Sequence, residues 1–140
     1  MAIVGRYNST RALLFAPEPK LASFSLGQGR GTILAEDFYA PTYLRMKCAY
    51  DQGRFADARA EQEFKLAVNG AIGRHGGGSA ERTLYRAFNL TKGFDLGPPR
   101  LPKKPMDESE WPALHKELDV IGFWSQPEVA GSCVVHATTA

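Results

Sequence analysis

Three acidic side chains follow two short apolar runs of the sequence, where they could contact a polar ligand. Glu18 follows the run at residues 12–16, and the pair Glu36 and Asp37 follows the run at residues 31–35. Loops at the carboxyl ends of parallel strands line the binding sites of α/β proteins. We therefore predict that these three acids bind substrate. The alternative is that the acidic pair simply opens the next helix, because the helix dipole favours an anion there.

Other chemistry has weaker signals in the sequence. The three histidines, His75, His115 and His136, share no spacing typical of metal ligands, and no Cys-x-x-Cys pair is present. Serine, cysteine and histidine form no nucleophile motif. The glycines of residues 27–31 follow a predicted helix and precede a strand, which is the wrong order for a phosphate-binding turn. We therefore predict neither a metal nor a cofactor.

The two apolar runs have the length and the flanking breakers of strands that are buried on both faces. Residues 20–26 between them are predicted to form a short helix. This βαβ order predicts two parallel strands joined by a right-handed crossover.

Four helices are predicted after the strands, at about residues 40–53, 55–72, 79–92 and 107–121. In the second of them, Phe55 and several alanines form an apolar stripe, with Lys65 among the charged residues opposite. Ser79 and Asp107 are the predicted N-caps of the last two helices. Residues 97–105, which we call the proline segment, separate these two helices. Its prolines exclude helix and central strand, and they predict a stiff, extended connector.

The composition is that of a globular protein, with 44% hydrophobic and 23% charged residues among 140. A net charge of +2 is too balanced to indicate a nucleic-acid partner. No apolar run approaches the roughly 20 residues of a membrane helix, and the N-terminal residues do not resemble a signal peptide. Cys48 and Cys133 suit a reducing compartment better than a disulfide framework, so we expect a cytoplasmic protein.

The stretch Gly-Pro-Pro-Arg-Leu-Pro at residues 97–102 resembles the connection before the last helix in animal members of the N-acetylneuraminate lyase family, the sialic acid aldolases. This family belongs to the dihydrodipicolinate synthase superfamily. Residues 22–23 and the stretch Tyr-Asp-Gln-Gly-Arg-Phe-Ala-Asp-Ala-Arg at residues 50–59 support the resemblance, which covers roughly residues 12–124.

The resemblance implies a helix-rich α/β fold, made of the last two β/α units of a (β/α)8 TIM barrel and a C-terminal helical extension. The implied domains are an irregular segment at residues 1–11, a partial barrel at 12–53, a helical bundle at 54–124 and a disordered tail at 125–140.

The family reaction is a Schiff-base aldol cleavage of sialic acid to pyruvate and N-acetylmannosamine. The resemblance places its lysine and tyrosine upstream of this sequence, and Lys20 would lie after the seventh strand instead. The expected function is therefore a truncated lyase-like polypeptide that is inactive alone and has no catalytic residue. Both substrate loops depart from the family pattern, and Glu18 is the one plausible acidic counterpart in the first of them. A sugar acid would bind only if the rest of a barrel were supplied.

Two alternatives remain open from the sequence. The first is a non-enzymatic structural or interaction subunit, because two parallel strands cannot close a barrel and would leave unpaired edges. A protein partner or a homo-oligomer is then expected. The second is an unrelated helical adaptor whose likeness to the aldolases is accidental.

Overall fold

The two predicted strands pair side by side in the same direction. The structure is a computed structural model that describes residues 36–131 and the backbone of β1 (Leu14–Phe15) and β2 (Gly31–Thr32). Leu14 lies opposite Gly31 and Phe15 opposite Thr32, which confirms the parallel pairing. The helix predicted at residues 20–26 lies outside the described residues. Two strands do not make a barrel, so the barrel implied by the resemblance stays a prediction.

The described chain is mainly helical after β2. A short 3-10 helix at Asp37–Tyr39 leads into α1 (Ala40–Asp51), which is followed by α2 (Phe55–Arg74) and α3 (Gly78–Thr91). The helix α4 (Trp111–Ile121) precedes a second 3-10 helix at Phe123–Ser125. All four predicted helices are confirmed within a few residues of their expected ends. None of the helices between residues 36 and 131 is both long and apolar enough to cross a membrane.

The chain divides into two compact units. The first unit contains residues 1–63 and 128–140, and the second contains residues 64–127. In the first unit, Met46 and Ala49 of α1 pack against Ala58 of α2, with Tyr50 at the edge of this cluster. Phe38, from the 3-10 helix, is also fully buried. The predicted domain boundaries stay predictions.

The second unit buries one face of each of its helices. Leu84 of α3 and Leu114 and Leu118 of α4 are fully buried. Phe123 follows α4 and meets Phe88 of α3 edge to face, with 5.9 Å between the ring centroids. The apolar spacing predicted for α4 is therefore confirmed at Leu114 and Leu118.

Two predictions about the faces of α2 are wrong. Phe55 is 60% exposed, because it lies at the first position of the helix and only meets Tyr50 edge to face, at 5.3 Å. Lys65 is only 5% exposed, although it was predicted to face solvent. Lys65 lies seven residues from the buried Ala58 and Ile72 and so on the same face of α2, and the aliphatic stem of a lysine can be covered by apolar neighbours.

Both predicted N-caps are also wrong. Helix α3 begins at Gly78 after two glycines with positive φ, Gly76 and Gly77, so Ser79 lies inside the first turn. Asp107 instead closes a separate turn, in which its Oδ1 accepts hydrogen bonds from the backbone N–H and the hydroxyl of Ser109, at 2.9 and 2.7 Å. The N-cap of α4 is Glu110, and its side chain makes no capping hydrogen bond.

The proline segment has no helix or strand, as predicted, but it is not extended throughout. The N–H of Lys103 donates to the carbonyl of Arg100 at 3.1 Å, which closes a turn in its middle. The peptide bond between Leu101 and Pro102 is cis. Leu101 stands at this turn with 85% of its surface exposed.

Cys48 differs from the expectation of a free thiol. It is bonded in a disulfide, and Nε2 of Gln52 lies 3.3 Å from its sulfur. The other cysteine of the chain, Cys133, lies outside the described residues. The expectation of a free thiol is therefore wrong for Cys48. The cytoplasmic location, which was argued from free thiols, stays a prediction.

Two glycine substitutions test the backbone of these helices. Gly122 ends α4 with a φ of 85°, a left-handed conformation that costs an L-residue about 1–2 kcal/mol. We expect Gly122→Ala to lower the free energy of unfolding by about 1 kcal/mol. Gly73 lies within α2 with open space around it, so Gly73→Ala should raise that free energy by up to about 1 kcal/mol. Urea unfolding followed by circular dichroism measures both, and equal effects of the two variants would contradict the assignment.

Candidate functional site

The predicted substrate-binding acids are only partly placed by the structure. Glu36 and Asp37 lie at the start of the first 3-10 helix, where Glu36 is half-buried and Asp37 is exposed. The carbonyl of Glu36 accepts the N–H of Tyr39 at 3.3 Å, so this pair also opens a helical segment, as the alternative interpretation expected. Glu18 lies outside the described residues. Its predicted position beside the other two acids stays a prediction.

A half-buried ion pair joins α1 to α2 in the first unit. Arg45 of α1 donates from Nε to Oε1 of Glu61 at 2.7 Å and from Nη2 to Oε2 at 2.9 Å, which is a bidentate geometry. Its Nη2 also donates to the hydroxyl of Thr42, at 3.3 Å. The carboxylate neutralises the guanidinium, so this pair fastens α1 to α2.

The phenol of Tyr43 is not a base in this setting. The residue is buried in α1, and burial raises the pKa of its hydroxyl above the ordinary value, with a smaller contribution from the charge of Asp51. The hydroxyl therefore stays protonated at neutral pH, where it can donate a hydrogen bond.

A cavity of about 390 Å³ lies in the second unit, between α3 and the proline segment. We call it the proline cavity. One wall is a single face of α3, because Thr83, Arg86, Ala87 and Leu90 follow the helical spacing i, i+3, i+4 and i+7.

The other wall comes from the proline segment and the residues that lead into α4. It consists of Pro98, Pro99, Pro105, Met106, Glu108 and Trp111. This wall is mostly apolar. A volume of this size, with apolar walls and a few polar groups, is typical of a small-molecule site.

Two ties hold the proline segment over α3. At the start of the segment, the carboxylate of Asp95 accepts hydrogen bonds from Nε and Nη2 of Arg86, at 2.7 and 2.9 Å. It also accepts a hydrogen bond from the N–H of Gly97, at 2.8 Å. After the segment, the N–H of Met106 donates to the hydroxyl of Thr83 at 3.2 Å. The hydrogen bonds from Arg86, and then that from Gly97, lower the pKa of Asp95 to about 2.

A third cluster joins the turn between α2 and α3 to α4. Glu117 accepts hydrogen bonds from the guanidinium of Arg74, and its Oε2 lies 2.9 Å from Nε2 of His75. These contacts, that of Arg74 first, lower the pKa of Glu117. The cluster contains one carboxylate and one imidazole, and no set of three metal-binding side chains occurs within residues 36–131.

The sequence reasoning missed the residues of the proline cavity. The hydrogen bonds that form the cavity join residues that are far apart in the sequence, such as Thr83 and Met106. No local sequence pattern predicts such contacts. One wall of the cavity could have been predicted from the sequence. The spacing of Thr83, Ala87 and Leu90 places them on one face of α3, and the proline segment follows this helix in the chain. The ion pair of Arg45 with Glu61 spans 16 residues and had no comparable signal.

Comparison with known proteins finds a distant similarity to lyases. The chain is 29% identical over 118 residues to an uncharacterised DapA-like lyase of Pyrobaculum islandicum, and equally to one of Pyrobaculum aerophilum. In both cases 79% of this chain is covered but only 37% of the relative, so the chain spans little more than a third of the length of these relatives. No family model matches the chain, and no solved structure does.

This similarity agrees with the superfamily indicated by the resemblance in the sequence. The two relatives carry the name of the wider DapA-like group, and neither is named as an N-acetylneuraminate lyase. The dihydrodipicolinate synthase superfamily is therefore supported, while the sialic acid reaction stays a proposal.

The tie at Asp95 predicts a pH dependence of stability. Because its folded pKa of about 2 lies below the ordinary 3.8, the tie stabilises the fold above about pH 4, and this contribution is lost as the pH falls towards 2. In Asp95→Asn we expect lower stability at neutral pH and a smaller loss between about pH 4 and 2, so the variant and the parent converge in acid. Urea unfolding at a series of pH values measures this.

The matched control for this prediction is Asp119→Asn. Asp119 is an exposed carboxylate on α4, and it forms no ion pair within residues 36–131. Its variant should follow the acid profile of the parent chain. Parallel profiles for Asp95→Asn and the parent would contradict the role given to the tie.

Proposed function

We propose that this chain is the C-terminal part of a lyase of the DapA-like group. The observation that carries the proposal is the similarity to two such lyases over 118 residues. The parallel pairing of β1 with β2, followed by a series of helices, supports it, because consecutive strands of a (β/α)8 barrel are parallel. In the whole protein, β1 and β2 would be the last two strands of the barrel.

The substrate that we propose is a sialic acid, which the lyase would cleave to pyruvate and N-acetylmannosamine. The support is the resemblance of residues 97–102 to the N-acetylneuraminate lyases. In this proposal Glu18, Glu36 and Asp37 bind hydroxyl groups of the sugar at the carboxyl ends of β1 and β2. The half-buried position of Glu36 suits this role better than the exposed position of Asp37.

We further propose that the chain has no aldolase activity by itself. A Schiff-base lysine must lose its proton near neutral pH, which burial in an apolar site promotes. Of the lysines between residues 36 and 131, Lys65 is the buried one, and it lies on α2 rather than at the end of a strand.

Trapping with a reductant tests this inactivity. The chain is incubated with pyruvate and sodium borohydride, and its intact mass is then measured. We expect no covalent adduct, because the resemblance places the Schiff-base lysine upstream of this sequence and Lys20, which follows β1, does not match its position. A full-length DapA-like lyase serves as the positive control.

Lys65→Arg is the matched variant for this experiment. Arginine keeps the charge but cannot form a Schiff base with pyruvate. An adduct that is present in the parent chain and absent from Lys65→Arg would contradict the proposed inactivity and would identify the reactive lysine.

A second candidate function is a non-enzymatic subunit of a larger assembly. It is favoured by a group of exposed apolar side chains between the end of α3 and the middle of the proline segment. They are Leu90, Phe94, Leu96 and Leu101. Exposed apolar side chains grouped in this way are typical of surfaces that bind another protein.

Light scattering tests this second function. If the group forms an interface between copies, the chain has a mass above its monomeric 15.3 kDa, and the double variant Phe94→Ser, Leu101→Ser shifts towards the monomer. Val120 is equally exposed but lies on α4, so Val120→Ser is the control and should leave the mass unchanged. A monomeric parent chain would contradict self-assembly through this surface, and it would leave the lyase proposal intact.

A further inference from the structure

We propose that the proline cavity binds a small molecule that combines an apolar ring with a carboxylate. The cavity lies in the second unit and is separate from the acids that follow β2. The inference does not depend on the proposed lyase function.

The walls of the cavity suit a flat apolar ring. Pro98, Pro99 and Pro105 present rigid rings, and Trp111 adds an aromatic surface at the start of α4. Small-molecule pockets are lined mainly by hydrophobic and aromatic side chains. The volume of about 390 Å³ falls within the range of small-molecule pockets.

The cavity is formed before any ligand binds. The ties at Asp95 and Met106 fix the proline segment at both ends, and its prolines restrict the backbone between them. Little conformational freedom is therefore lost on binding, which favours affinity for a small ligand.

Unused hydrogen-bond donors at the cavity point to a carboxylate. Arg86 uses Nε and Nη2 for Asp95, so Nη1 has no acceptor among the described residues. Thr83 accepts the N–H of Met106 through its hydroxyl oxygen, so the hydroxyl hydrogen is still available to donate. A guanidinium and a hydroxyl together provide a charge-assisted site for a carboxylate.

Glu108 is the one acidic side chain that lines the cavity. It is exposed to water, which screens its charge. If this carboxylate governed recognition instead of Arg86, the cavity would prefer an amine. The experiment therefore compares ligands that share one ring on a short chain and differ in the charge of the end group.

The test uses the full chain with three probes that share a phenyl ring: 3-phenylpropionate, 3-phenylpropanol and 2-phenylethylamine. Binding is followed by NMR, through the shifts of the backbone amides of Leu90 and Trp111. For a ligand of this size we expect a dissociation constant on the order of 1 mM for the carboxylate. The amine and the alcohol should bind about tenfold more weakly or worse.

Three variants assign the interaction to the cavity. Arg86→Gln should weaken 3-phenylpropionate about tenfold and reduce its advantage over the alcohol. Asp95→Asn removes the charge that competes for the guanidinium, while the amide oxygen of asparagine can still accept the N–H of Gly97 and hold this end of the segment, so carboxylate binding should be kept or strengthened. Lys92→Gln removes a cation from the end of α3 that lies over the ring of Phe88, and this control should leave binding unchanged.

The outcomes are distinct from one another. The proposal is supported if the chain binds the carboxylate more tightly than the alcohol and the amine, and if this preference is lost in Arg86→Gln and kept in Asp95→Asn. Tighter binding of the amine, equal binding of all three probes, or no binding at ten times the expected dissociation constant would overturn it.

Discussion

The second unit depends on how the proline segment is held against α3. The prolines at positions 98, 99, 102 and 105 have no backbone N–H, so the segment cannot join a sheet or continue a helix. Side chains of α3 supply the missing attachment, through Arg86 at one end and Thr83 at the other. The spacing between α3 and α4, and the cavity between the helix and the segment, follow from these two attachments.

Local signals in the sequence were sufficient for most of the helical fold. The ends of α1 and α4 were predicted because Gly53 and Gly122 adopt the left-handed conformation that ends helices, and the structure confirms both. Side-chain environments were harder to predict, as Phe55 and Lys65 show. Whether Phe55 at the start of α2 is covered depends on neighbours that are distant in sequence. Lys65 was predicted to be exposed because of its charge, although it shares the helical spacing of the buried Ala58 and Ile72.

The candidate sites were predicted less well than the helices, for the same physical reason. The acids after β2 could be selected because a rule of parallel sheets relates strand ends to binding sites. The proline cavity depends on the pair Arg86 and Asp95, whose geometry arises only when the segment folds back over α3. The resemblance in the proline segment indicated a superfamily, and the similarity to two longer lyases supports that superfamily without specifying a substrate.

The aromatic contacts of His115 have a consequence for spectroscopy. Its ring is stacked on Trp124, with centroids 5.0 Å apart, and Trp111 meets it edge on at 5.7 Å. The chain contains two tryptophans, so both of its indoles touch the same imidazole. Indole emission therefore reports on the surroundings of α4 alone. A study of the acidic residues that follow β2 by tryptophan fluorescence needs an indole introduced into the first unit.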